Sequence, residues 1–409
     1  MAQKKLKIGI LRETKFPPDR RVAITPLQTK EILKKFPNIE IFAQTSELRC
    51  YRDEEYSNQG LTLTEDLSDC DILIGIKEVD IPSLLSGKTH LFFSHTAKKQ
   101  LYNRLLFQEI VRRKITLLDY EYLTGSDGFR LVAFGRWAGI VGAYNGLRAW
   151  GKRFGTYELK PAHQCFDLKE MLSQLSAVKL PDIKILITGG GRVAGGAIET
   201  FTGLKLRQVS PEEFLNNTFN ESVICRIDPW HYARRKDGGK FDINTFNHFI
   251  RFPEEYESTF YPYTKVTDIY IPCHFWDPES PVFMTKEDMC AEDFKMQVIA
   301  DVSCDINGPV PSTIRASTIA DPFYGYNPHT GKETDPFDKS NITVMAVDNL
   351  PGELPRDASK EFGKTLIDKV YPSLLIEDTE GVIERATIVK NGQLTEKFAY
   401  LQDFLEGKD

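Results

Sequence analysis

Short apolar runs, each closed by polar residues, alternate along the chain with amphipathic stretches. Lys7-Ile-Gly-Ile-Leu11, Asp71-Ile-Leu-Ile-Gly-Ile76, His90-Leu-Phe-Phe93 and Lys114-Ile-Thr-Leu-Leu118 read as buried strands. Ile183-Lys-Ile-Leu-Ile187, Asp268-Ile-Tyr-Ile271, Val298-Ile-Ala-Asp-Val302 and Thr343-Val-Met-Ala-Val347 repeat the pattern later. Apolar runs of this length, separated by helical stretches, predict parallel βαβ units. Thr25-Pro26 marks a helix start, with proline in its favoured first turn, and another helix is expected from Asp357 to Val370. The clearest helix runs from Arg136 to Trp150, where Trp137, Ile140, Val141, Tyr144 and Leu147 recur at helical spacing. Gly139, Gly142, Ala143 and Gly146 keep the rest of it small-sided, and its place in the chain reads as the link between two α/β units. Residues 204 to 266 interrupt the repetition with a polar, aromatic stretch too long for a plain βα connection.

One predicted strand runs straight into a glycine turn. Gly189-Gly190-Gly191 follows Ile187-Thr188, and a small-residue helix opens at Arg192-Val193-Ala194. Strand, glycines and helix in this order are the context in which G-x-G-x-x-A denotes dinucleotide binding. Gly189 allows the tight turn, Gly191 lets a pyrophosphate approach the backbone, and Ala194 fits the close-packing position. The new helix's free N–H groups favour the phosphate charge. Gly189, Gly190, Gly191, Arg192 and Val193 are therefore the expected cofactor-facing set. An acidic residue about 20 positions further on would read the ribose. If Leu204–Ser210 is the next strand, no acid closes it and Arg207 stands nearby. That leans the cofactor toward NADP over NAD, with Glu212 and Glu213 as the remaining acidic choices.

The chain's 409 residues leave room for two domains. A net charge of −6 and a pI near 5.8 argue against nucleic acid as a partner. No apolar run approaches a membrane span, and no export signal follows Met1, so a cytoplasmic protein is expected. The seven cysteines are scattered without a C-x-x-C, which suggests reduced thiols and neither a metal site nor a disulfide framework.

Four polar groups each follow the carboxyl end of an apolar strand: Lys77-Glu78, His95, Asp301 to Asp305 and Asp348-Asn349. Open parallel sheets bind ligands outside those ends, so these groups are expected to converge on a cleft between two domains. Partial burial would bring a strand-end lysine toward the range useful for acid–base work, and His95 is of the residue type that serves most often as acid and base near neutral pH. Glu78 and Glu121 suit a substrate ammonium; Arg21 and Arg130 suit carboxylates. Each also has a plainer reading as a solvated lysine, a packed histidine or a structural ion pair. No G-x-S-x-G, Walker A or H-E-x-x-H pattern occurs, which disfavours hydrolase, NTPase and zinc-protease readings.

A set of longer motifs narrows this further. Arg12-Glu-Thr-Lys15, Arg21-Val-Ala-Ile-Thr-Pro26, Ile76-Lys77-Glu78, Phe92-Phe-Ser-His-Thr96, Leu118-Asp-Tyr-Glu121 and Val132-Ala-Phe-Gly-Arg-Trp-Ala-Gly139 stand in the first third. Asp301-Val-Ser-Cys-Asp305, Ser317-Thr-Ile-Ala-Asp-Pro322 and Val347-Asp-Asn-Leu-Pro-Gly-Glu-Leu-Pro355 follow. Together they resemble the alanine dehydrogenase/transhydrogenase superfamily. Within it the likeness is to lysine-forming saccharopine dehydrogenases and the lysine–ketoglutarate reductase half of aminoadipic semialdehyde synthases.

The resemblance runs nearly end to end and implies an α/β fold of two Rossmann-like domains with parallel sheets. Residues 1–135 with 347–409 would form a discontinuous substrate domain, and 136–346 the dinucleotide domain. The implied activity is an NAD(P)-dependent oxidoreductase that joins lysine to 2-oxoglutarate as an imine and reduces it to saccharopine, or runs in reverse. On this carry-over Lys77 and His95 form the acid–base pair, Arg21 and Arg130 hold carboxylates, and Glu78 and Glu121 tune charge around the amine. Asp305, Asp348, Asn349 and Leu350 would line the cofactor. Some relatives carry a cysteine in the glycine turn, where this chain has Val193. Another amino-acid dehydrogenase, such as alanine dehydrogenase, and a non-catalytic dinucleotide-binding protein are the alternatives; homo-oligomerisation is left open.

Overall fold

The computed structural model describes residues 5–408. The chain divides into two compact units: residues through Phe134 together with those from Pro355 onward, and Gly135–Leu354. The Asp348–Leu354 run therefore belongs to the second unit.

The first unit is built on an eight-stranded sheet. Its order is Gln393–Leu394, Thr387–Lys390, Thr116–Asp119, Thr89–Phe92, Ile72–Ile74, Leu6–Ile10, Ile39–Ala43, Thr62–Leu63. The strands before residue 120 all run parallel; Thr387–Lys390 pairs antiparallel with Thr116–Asp119, and Gln393–Leu394 antiparallel in turn with Thr387–Lys390. Successive side chains on a strand face opposite sides, so the sheet serves two cores. Ile72 and Ile74 pack on one face and Leu73 on the other; Leu118 and Leu117 divide the same way. Burial on both faces is why these strands read as continuous apolar runs rather than alternating ones. The chain steps from Leu6–Ile10 outward to Thr62–Leu63, then returns to the far side of Leu6–Ile10 with Ile72–Ile74. Strand order thus reverses between Leu6–Ile10 and Ile72–Ile74. From the C-terminal segment, helix Pro355–Thr365 adds Phe362, stacked 4.5 Å from Phe134 and edge-on at 4.9 Å to Tyr120.

The second unit holds another eight-stranded sheet. Its order is Lys332–Thr334, Phe323–Asn327, Ile342–Met345, Val298–Ala300, Ile269–Pro272, Lys184–Thr188, Val223–Ile227, Arg207–Gln208. Here too the order reverses beside the first strand laid down, between Lys184–Thr188 and Ile269–Pro272. Helix Gly135–Phe154 belongs to this unit, crossing helix Arg192–Gly203 in backbone contact. A Cβ on Gly139 would stand 1.8 Å from the Val193 carbonyl oxygen, and one on Gly196 would stand 2.0 Å from that of Arg136. Other small positions face the sheet, where a Cβ on Gly142 would meet Val302 at 2.2 Å.

One sequence expectation fails in the region from 204 to 266. The strand beside the glycine-turn strand is Val223–Ile227, paired in parallel from Lys184↔Val223 to Thr188↔Ile227. Leu204–Ser210 yields only the exposed edge strand Arg207–Gln208, one position farther out. The remainder includes a small antiparallel pair, Ala233–Arg235 with Tyr256–Ser258, beside packed rings of Phe241, Phe249 and Tyr256. Among the described residues no helix is long and apolar enough to cross a membrane.

Candidate active site

The first sheet's topology gathers the chemistry. Neighbouring parallel strands end in Leu11 to Lys15, Ile76-Lys77-Glu78, Ser94-His95 and Asp119-Tyr120-Glu121, all at one edge. The point where strand order reverses is where open α/β sheets leave a crevice; here Glu13 and Lys77 flank it. Lys77 is half-buried, and its ammonium makes no hydrogen bond or ion pair among the described residues. Burial, and then the charge of Arg21, lowers its pKa, while Asp19 and Glu78 pull the other way.

Next to it, Glu78 is a buried carboxylate held from several sides. His95 Nδ1 lies 2.6 Å from Oε1, Lys15 Nζ donates to Oε2 at 2.8 Å, and the Tyr102 hydroxyl donates at 3.4 Å. Burial alone would raise this carboxyl, but His95 and Lys15 outweigh it and hold it down to about 2. His95 has left-handed backbone (φ 51°) and its ring stacks on Phe93. Its loop is fixed beneath by Asp119, which accepts from the Ser94 N–H at 2.9 Å and from the Glu121 N–H at 2.8 Å.

Arg21 is 3% exposed. Its Nε and Nη2 donate to the two oxygens of Asp19 at 3.0 and 2.5 Å, and its guanidinium lies 4.2 Å above the Phe134 ring. Asp19 thus orients the guanidinium in advance. Glu121 pairs with Lys98 at 3.0 Å and lies 3.8 Å from Arg130, whose side chain is 43% exposed. The structure therefore brings Lys77, Glu78, His95 and Arg21 together, with Glu121 and Arg130 as a neighbouring pair.

The second unit presents a dinucleotide cradle at its own reversal point. Gly189 has φ +104°, and a Cβ there would stand 2.6 Å from the Cys273 carbonyl oxygen, so only glycine fits. Gly191 faces open space, and among the described residues no side chain caps the twelve-residue helix that begins at Arg192. An uncapped helix N-terminus behind a glycine turn suits a pyrophosphate. Beneath the turn, Thr188 Oγ1 bonds to Tyr270 and to Nδ1 of the buried His274, which burial holds down to about 3.

Asp228 closes Val223–Ile227, and its Oδ1 would lie 2.6 Å from a Cβ on Gly190. Arg226 donates to its Oδ2 at 2.9 Å. Arg207, expected near the ribose, lies on the outermost strand with Nε 3.1 Å from Glu221. On the other side, Asp301 accepts from the Thr313 hydroxyl at 2.6 Å and the Cys304 N–H at 3.0 Å, and burial pushes it up to about 6. Asp305 is half-buried, Asp348 exposed and Asn349 half-buried; Leu350 is buried, against the helix at Gly142.

Comparison with known proteins bears on both units. Residues 9–141 match the family model described as alanine dehydrogenase/PNT, N-terminal domain. The matched segment takes in the parallel strands of the first unit's sheet. Beyond it, the chain is 30% identical to mouse alpha-aminoadipic semialdehyde synthase, mitochondrial, over 96% of its own length and 47% of the mouse protein. It thus spans about half of that relative. It is 29% identical to the saccharopine dehydrogenase [NAD(+), L-lysine-forming] of Yarrowia lipolytica, covering 90% of this chain and 92% of that one. Among solved structures, an L-alanine dehydrogenase superposes with a TM-score of 0.67 at 16% identity over 99% of this chain and 100% of that one. That likeness establishes the fold: two Rossmann-like α/β domains with mostly parallel sheets.

Within the matched segment, sequence reasoning overlooked Glu13, Asp19, Lys15 and Tyr102. Their partners lie 63, 2, 63 and 24 positions away, and only the Asp19–Arg21 spacing is local enough to have been seen. Asp228 was missed because its strand was missed.

Proposed function

We propose that the chain is a nicotinamide-dependent oxidoreductase that forms saccharopine from lysine and 2-oxoglutarate, or cleaves it. The carrying observation is Lys77, a desolvated ammonium at the reversal point of its sheet beside the Glu78–His95 pair. Joining an amine to a ketone as an imine, and undoing it, requires protons taken and returned near neutral pH. A lysine lowered toward that range and a histidine suit both tasks. Lys77 and His95 are the proposed acid–base groups, and Glu78 balances their charge. Arg21 and Arg130 would receive substrate carboxylates bidentately, and Glu121 would face the substrate ammonium. The two relatives' names, one for lysine-forming saccharopine dehydrogenase and one for aminoadipic semialdehyde synthase, support this choice of substrate.

A nicotinamide dinucleotide, when bound, supplies or accepts the hydride. Gly189 to Gly191, with Arg192 and Val193 at the helix start, would hold its pyrophosphate, and Asp305 with the Asp348-Asn349 loop would lie toward its other end. NAD is the proposed form, reversing the lean that Arg207 suggested. A carboxylate closing the strand beside the turn accepts from ribose hydroxyls and repels a 2′-phosphate, and Asp228 stands there. The Yarrowia lipolytica relative is named for NAD(+).

Purified protein mixed with lysine, 2-oxoglutarate and either reduced cofactor, followed by nicotinamide absorbance, tests the proposal. Oxidation is expected, faster with NADH, and Lys77→Met should lower kcat by roughly 10²- to 10⁴-fold. Silence with both cofactors overturns it. Turnover only with pyruvate and ammonia would move the assignment to alanine dehydrogenase.

A further inference from the structure

Three consecutive residues, Glu13, Thr14 and Lys15, each bond to the segment that follows the Ile72–Ile74 strand. Glu13 Oε1 accepts the Ile76 N–H at 2.7 Å and Oε2 accepts the Lys77 N–H at 2.8 Å. Thr14 Oγ1 accepts the Asp80 N–H at 3.1 Å, and Lys15 reaches Glu78. Ile76 and Lys77 lie past the end of the strand's ladder, so one side chain, 63 positions away, satisfies two N–H groups the sheet leaves over.

We infer that Glu13 is a positioning residue for Lys77. This rests on the acid–base role proposed above for that lysine. A carboxylate gripping two successive N–H groups fixes the peptide between them, and with it the direction in which Lys77 leaves the backbone. No neutral side chain reproduces the grip, because a glutamine offers one oxygen and turns an N–H against the other N–H. Around the carboxyl stand Asp19 and Arg21 from its own loop, Lys77 from the strand end, and Tyr120 from the next strand but one. Burial, and then Asp19, pushes Glu13 up to about 8, so its doubly accepting form is the alkaline one.

The test is Glu13→Gln in the full chain, with two readouts. In turnover, a misaimed lysine should lower kcat by roughly 10²-fold, leave KM for lysine nearly unchanged, and remove the part of the kcat–pH profile that rises on the alkaline side. Independently of turnover, the titration of Lys77 is followed by NMR of the ¹³C-dimethylated protein, its signal assigned by Lys77→Arg. Glu13→Gln should move that titration. Glu13→Asp, which keeps the charge but cannot reach both N–H groups, should act in the same direction more weakly and serves if the glutamine variant does not fold. A lower Tm with kcat, pH profile and Lys77 titration all unchanged overturns the inference. If the wild type turns over no substrate, the proposed function fails while the Lys77 titration still decides the role of Glu13.

Discussion

Two glutamates meeting the same strand end respond to pH in opposite senses. Glu78 is held down to about 2 from an ordinary 4.5, burial being outweighed by His95 and Lys15. A carboxyl whose folded pKa is depressed contributes stability above its unfolded pKa and loses it as pH falls. The contribution of Glu78 is therefore complete above 4.5 and drains away toward 2. Glu13 goes the other way: burial and Asp19 raise it from 4.5 to about 8, so the folded state keeps a proton the unfolded chain has released. Stability should decline as pH rises through that window. Unfolding free energies from urea titrations at a series of pH values check both: Glu78→Gln should flatten the acid limb, and Glu13→Gln the decline between 4.5 and about 8. Asp228 carries a separate prediction. Asp228→Ala should weaken NADH more than NADPH and bring their dissociation constants together, whereas Arg207→Ala should leave the ratio as it was; fluorescence titration of each cofactor measures it.

At the scale of elements, the crossing of helices Gly135–Phe154 and Arg192–Gly203 leaves no room for a methyl group. A Cβ on Gly139 would stand 1.8 Å from a backbone oxygen that cannot swing aside, so Gly139→Ala should destabilise by about 1–3 kcal/mol through forced backbone shifts. Gly195→Ala, in the same second helix with nothing near, should be neutral or stabilising by up to about 1 kcal/mol. Denaturant midpoints of the pair give the contrast. The small-residue pattern that makes this crossing was visible in the chain, as were the central strands, because strands buried on both faces carry no alternation to obscure them. Val223–Ile227 was hidden for a physical reason: Arg226 sits inside the run with its guanidinium turned to Asp228, and aromatic and polar residues on both sides mask it. The Glu13 clip was illegible because nothing in local spacing marks a side chain that serves a backbone 63 positions away.

On the scale of the whole molecule, one unit is contiguous and the other is not. The first unit needs Phe362 from helix Pro355–Thr365 against Phe134 and Tyr120, and needs Thr387–Lys390 to cover Thr116–Asp119. A chain stopped after Leu354 should therefore lose its first unit: limited proteolysis is expected to degrade residues before Gly135 while leaving a resistant fragment near Gly135–Leu354. The same discontinuity governs birth as well as stability. Translation proceeds from the N-terminus at about 5–20 residues per second, so the contiguous unit is complete while its forerunner still waits, on the order of seconds, for the segment after Leu354. During that interval Thr116–Asp119 is an open edge, able to pair with any strand that passes. The unit begun earlier is thus completed later, and slow elongation through the segment after Leu354 would lengthen the time in which the nascent chain needs a chaperone.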